Sequence, residues 1–108
     1  MQRRNLQHRK QFLVLKVEGL KFLKIWFGAQ KCVPPNLTKL YQLTLHMATM
    51  KGMIPVYLAL RTGYTSKLIN EAVKRGYVEL SLVPKKPSEE VLNRINEIIG
   101  KPPREIYG

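Results

Sequence analysis

Aspartate is missing from all 108 residues, so the acidic side chains are seven glutamates, set against nineteen lysines and arginines. A nuclease needs a group of carboxylates to hold its metal ions. Residues 1–86 supply only Glu18, Glu71 and Glu79 for that task. Cysteine is down to Cys32, which excludes an internal disulfide and every cysteine-rich zinc site and leaves packing to hold the fold, as in a reducing compartment. Histidine is limited to His8 and His46. A lone histidine inside an apolar helix reads as a packed residue rather than a metal ligand. The three serines, 66, 81 and 88, lie outside any nucleophile elbow, and neither common glycine-rich phosphate loop occurs. Glu89 and Glu90 are adjacent on an expected helix and point in different directions, so they make no acid–base pair. No catalytic residue, cofactor or metal site is therefore expected. A membrane span needs about eighteen consecutive apolar residues. Lys16, Glu18, Lys21 and Lys24 interrupt the one apolar run that follows a basic start, so neither a span nor a signal peptide is expected, and the chain is expected in the cytoplasm.

What is present in excess is positive charge, +12 overall. A field of that sign attracts polyanions, nucleic acid first and anionic membrane surfaces second. The charge is unevenly placed. Residues 87–108 carry three basic and four acidic side chains, net −1, whereas residues 1–86 carry sixteen and three, net +13. Hydrophobic residues at 44% are ordinary for a globular protein. The length suits one domain with a modest core, here 12–108 behind a flexible basic arm, 1–11, that bears Arg3, Arg4, Arg9 and Lys10. The arm is either a solvated tail or a strap laid along phosphates.

Two readings of residues 12–27, FLVLKVEGLKFLKIWF, stay open. As strands, FLVLKV and LKFLKIWF flank a Glu18-Gly19 turn; as a helix, positions 16, 18, 21 and 24 form one polar stripe and Gly19 is a penalty. The β-branched and aromatic content favours a hairpin within 12–31. Trp26 and Phe27 are expected in the core rather than as a base-stacking platform. After a Gly/Pro-rich loop, Asn36 is placed to cap a helix, LTKLYQLTLHMATMK, that Gly52 ends. This helix is expected to be mostly buried and to support the segment 55–74, which packs against it.

The stretch from Pro55 to Lys74, PVYLALRTGYTSKLINEAVK, predicts a helix, a tight turn and a second helix. Pro55 suits a first turn, Gly63 takes the positive φ that ends a helix cheaply, and Thr65 or Ser66 offers a side-chain oxygen to the next helix. Two helices joined so closely cross steeply, and their contact needs a small residue, Ala59. Ala59, the glycine four later and the β-branched Ile69 six after that, with Leu58, Tyr64 and Ala72 apolar around them, resemble the helix-turn-helix signature of DNA-binding proteins, over about a fifth of the chain. The resemblance implies that the second helix enters a major groove, with Thr65, Ser66, Lys67, Asn70, Glu71 and Lys74 as its reading face and Arg75 beside it. That helix stops at Gly76, earlier than in many winged-helix members.

Beyond Gly76, YVELSLV alternates as a strand. In a winged-helix arrangement this strand would turn back as a wing with PKKP, residues 84–87, at its tip and Lys85 and Lys86 on phosphate. No second wing strand succeeds it, so its return partner could be the amino-terminal hairpin, making a small mixed sheet. Ser88 caps a last helix, EEVLNRINEII, whose glutamates suit its positive end and whose apolar stripe serves the core or a homodimer seam.

The expected fold is α+β and mainly helical, a winged-helix-like helix-turn-helix core (36–100) with a small β-hairpin and a C-terminal helix. The expected function is sequence-preferring binding of double-stranded DNA, as a small transcription regulator or a viral or chromatin accessory factor. The arm, Lys85 and Lys86 would hold phosphate while Asn70 and its neighbours read bases. The alternative is a structural RNA-binding protein such as a small ribosomal component.

Overall fold

The computed structural model describes residues 11–27 and 32–99; the arm residues Arg3, Arg4, Arg9 and Lys10 lie outside this range. The described chain is an α+β domain of five helices and a three-stranded antiparallel sheet. In order it forms β1 (Phe12–Leu15), α1 (Val17–Trp26), a 3-10 turn (Pro35–Leu37), α2 (Thr38–Thr49), β2 (Met53–Pro55), α3 (Val56–Thr62), α4 (Ser66–Lys74), β3 (Val78–Ser81) and α5 (Glu89–Ile98).

Residues 12–27 correct the hairpin expectation, because only the first four form a strand and the chain turns at Lys16 into α1. Tertiary packing decides this. Leu20 and Leu23 are fully buried on one face of α1 and Phe22 nearly so, while Lys21 and Lys24 face solvent. The Phe22 ring stacks on Tyr77 with centroids 4.7 Å apart. Gly19 is therefore not a turn residue but a contact that lets α1 lie against the backbone of the segment between α4 and β3. A Cβ there would stand 2.4 Å from the Tyr77 carbonyl oxygen and 2.9 Å from Leu15 Cδ1. Trp26 packs half-buried against the core, whereas Phe27 is exposed.

β1 is the middle strand, in the order β2-β1-β3. Leu13 pairs with both Ile54 and Leu80, and Leu15 with Val78, while Val14 lies opposite Met53 and Glu79. Side chains alternate across a sheet. One face thus sends Leu13, Leu15, Ile54 and Val78 into a core shared with Leu43 and Met47 of α2, Ala59 of α3 and Ile69 and Ala72 of α4. The other face carries Val14, Met53 and Glu79, and the segment 84–88 crosses it before α5 begins. The expected mixed sheet is therefore wholly antiparallel, and one strand rather than a hairpin supplies β3's partner.

Two cap assignments differ in outcome. Ser88 Oγ accepts from the Val91 amide at 3.2 Å, as expected of a cap. Asn36 instead sits within the 3-10 turn, and α2 starts at Thr38 without a side-chain cap. The α5 stripe packs inward through Val91 and Ile95, leaving Leu92, Ile98 and Ile99 half-buried. Among the described residues no helix is long and apolar enough to cross a membrane.

Helix propensity alone would make Gly19→Ala stabilising by about 1 kcal/mol. The backbone carbonyl in its way cannot yield, so the expected result in urea unfolding is a loss of about 1–3 kcal/mol.

Candidate nucleic-acid interface

The α3–turn–α4 unit forms as its residues dictate. α3 starts directly after Pro55 and stops at Gly63, whose φ of 117° is a left-handed value that residues with a Cβ rarely take. Two amides close the turn, Gly63 donating to the Leu60 carbonyl and Tyr64 to that of Ala59, each at 3.1 Å. Thr65 then caps α4, its Oγ1 accepting from the Leu68 amide at 3.1 Å. Ala59, Ile69 and Ala72 are sealed from solvent within the common core. The turn is also tied to α2. The Tyr64 hydroxyl donates to the Gln42 carbonyl at 3.2 Å, and its ring leans on His46 with centroids 6.0 Å apart.

With one side of α4 fixed this way, its other side is presented outward. Ser66, Lys67, Asn70 and Lys74 are exposed, and Lys67, Asn70 and Lys74 fall at helical spacings of three and four, on one stripe. Four ion pairs form among the described residues, at Lys21–Glu18, Arg75–Glu71, Lys85–Glu79 and Arg94–Glu90. Lys67 and Lys74 enter none of them, so their charges face solvent. Glu71 is held by Arg75 Nε at 2.6 Å, a contact that raises the Arg75 pKa above its usual value. This pair neutralises the carboxylate nearest the stripe. Thr65 is exposed, but its hydroxyl is already used by the cap.

The structure does not bring Lys85 and Lys86 to this surface. β3 stops at Ser81, and the chain doubles back across the reverse face of the sheet. There the Lys85 amide meets Met53 Sδ at 3.2 Å, its ammonium pairs with Glu79 at 3.2 Å, and Pro87 is buried against Gly52. The wing with PKKP at its tip is thus not formed; a proline buried against a glycine anchors that segment as a strap.

Three exposed groups on α2 and α3 were missed by sequence reasoning. Lys39, in the first turn of α2, lines a shallow cleft of about 260 Å³ with Gly63, Thr65, Lys67 and Glu71. Nothing local in the sequence marks Lys39, because it reaches the turn only through the docking of Tyr64 on α2. Tyr57 and Arg61, one helical turn apart on α3, are both exposed. Arg61 was legible as the only charged side chain of α3. Among the described residues, no group of three or more His, Cys, Asp or Glu side chains is placed to hold a metal ion.

No family model, curated protein or solved structure matches the chain.

Burial raises the Tyr64 pKa above its ordinary value of 10.0. A phenol held neutral in the fold stabilises it fully below the unfolded value, and that contribution is lost as pH rises through the folded one. Chemical unfolding between about pH 9 and 11 should therefore show a steeper alkaline loss of stability in the wild type than in Tyr64→Phe. Equal slopes would mean that the ring is not buried at the turn.

Proposed function

We propose that the chain binds double-stranded DNA through a helix-turn-helix, as a small regulator or accessory factor associated with the nucleoid. The observation that carries this reading is the α4 stripe: Lys67, Asn70 and Lys74 exposed, uncommitted and in line on a helix whose opposite side is sealed by Ile69 and Ala72. A short helix fixed on one side and cationic on the other suits a major groove. Asn70 is the base reader, since its amide can pair with adenine at two points. Lys39, which lines the cleft beside Lys67, is suited to phosphate, where contacts set position and affinity. The homodimer through α5 is not part of the proposal, because its apolar stripe is engaged within the domain.

The reading requires no catalytic step. Selection from a random duplex pool, with total RNA as competitor, should enrich one duplex over random sequence by about 10³-fold or more at fixed salt. On that duplex, Asn70→Ala should relax sequence preference by about 1–3 kcal/mol, and Lys67→Ala should weaken all sequences alike and lower the salt slope by about 1. Preferential capture of structured RNA would replace this proposal with the ribosomal-type alternative.

A further inference from the structure

The reverse face of the sheet carries a groove that the reading of α4 does not use. It runs between the α2–β2 turn, the strap that crosses the sheet and the start of α5, and its volume is about 420 Å³, within the range of ordinary ligand clefts. Met50, Met53, Pro84 and Leu92 give it apolar walls, and Lys51, Lys85 and Lys86 stand among them. Met50 is 45% exposed. Pro84 is exposed as well, whereas Met53 and Leu92 are half-buried. The strap is fastened at this point, because the Lys85 amide donates to Met53 Sδ at 3.2 Å.

One of these lysines is held against its backbone preference. Lys51 has a φ of 63°, the only positive value among the described residues other than glycine. Left-handed backbone is costly for a residue with a Cβ, and glycine or asparagine takes it more readily. The turn imposes it here: the Lys51 amide donates to the Ala48 carbonyl at 3.2 Å and the Gly52 amide to that of Met47 at 2.7 Å. Residues kept in strained backbone cluster at ligand clamps and other functional sites, and Lys51 stands on the wall of a groove. Lys51 and Lys86 enter no ion pair among the described residues, while Lys85 is shared with Glu79. None of the described residues lining the groove is acidic.

Apolar walls under a cationic rim select the occupant. We propose that the groove docks an acidic amphipathic peptide segment of a partner protein, with apolar side chains against Met50, Met53 and Leu92 and carboxylates toward Lys51 and Lys86. Methionine is unbranched and polarisable, so two of them let the walls adapt to anchors of different shape. Grooves of this kind take up the apolar face of a partner segment, and the lysines add the requirement for acidic neighbours. A nucleic acid satisfies the lysines but leaves the methionines and Leu92 uncovered. A second copy brings a chain of charge +12 to a rim of the same sign. The groove lies on the face of the sheet opposite the core that holds α4, so a partner seated there leaves Lys67, Asn70 and Lys74 uncovered. The inference therefore stands apart from the α4 reading.

The probe is a dye-labelled synthetic peptide of about 15 residues, with leucine at i, i+3, i+4 and i+7 and glutamate elsewhere. Polyglutamate of equal charge and a DNA duplex serve as comparisons. By fluorescence anisotropy on the full chain, the peptide should bind about tenfold or more tighter than polyglutamate. In spectra of isotope-labelled methionine methyls, the Met50 and Met53 signals should move while that of Met47, sealed in the core, stays in place. Met50→Ser should weaken the peptide by about tenfold and Lys51→Gly by about threefold. Lys51→Gly should also raise the urea midpoint, since glycine relieves the left-handed backbone, which separates lost binding from lost folding. Equal affinity for peptide and polyglutamate, unmoved Met50 and Met53 signals, or variants that bind as wild type does would overturn the proposal. So would a duplex that moves the same signals and displaces the peptide, which gives the groove to nucleic acid. A dimer in sedimentation that Met50→Ser dissolves gives it to a second copy, with the same result. Lys67→Ala with Lys74→Ala should leave the peptide's affinity unchanged; a loss there would put the peptide on α4 and overturn the groove as its site.

Discussion

The structure depends on four residues near the start of the chain. Phe12–Leu15 hydrogen-bonds along both edges, to β2 on one side and β3 on the other, and without it those two strands have no partner. Its side chains work in both directions as well. Leu13 and Leu15 enter the core that fixes α3 and α4, while Val14 seals the reverse face beneath the strap and α5. An isolated pair of short strands is marginal in water, and three with an apolar face packed on helices are not. The placement of α4, and with it the orientation of Lys67, Asn70 and Lys74, is thus set by a strand that is not part of the helical pair.

Local signals were sufficient where the local physics is decisive. Gly63 needs a positive φ, Thr65 and Ser88 have donors within reach three residues on, and the periodicity of α4 separates Ile69 and Ala72 from Lys67, Asn70 and Lys74. The sequence misleads where distant partners decide. Phe-Leu-Val-Leu-Lys-Val and its continuation have the composition of two strands, yet α1 forms because Leu20, Phe22 and Leu23 find α2, α5 and Tyr77 on one side of a helix. Gly19 looked like a turn because glycine is the usual turn residue, and a carbonyl belonging to residue 77 is invisible from residue 19. The same holds for PKKP: two lysines between prolines suggest an exposed tip, but Pro87 is drawn inward by the hollow over Gly52.

Charge shows a comparable division. The six glutamates in the described range include four that are matched within the domain to a nearby lysine or arginine, three of these pairs being between neighbours three or four apart on a helix. Exposed pairs of this kind add little to stability. Their effect here is on the field: neutralising Glu71 and Glu79 locally leaves the remaining lysines to set the sign of the potential around α4 and the sheet end. Long-range attraction of a polyanion depends on that sum rather than on any one contact.

The central position of an amino-terminal strand has a consequence for how the molecule comes into being. Leu13 meets Ile54 and Leu80, so the first stretch of the domain to be synthesised must wait for almost the last before its backbone is satisfied on both edges. Closing such distant loops is entropically costly and slow compared with forming local helices. On the ribosome, α1 and α2 can form early, whereas the sheet that orients the helical pair closes only once β3 has emerged. Until then a greasy tetrapeptide stays open to other chains, and the cationic segment ahead of it travels with that exposed edge.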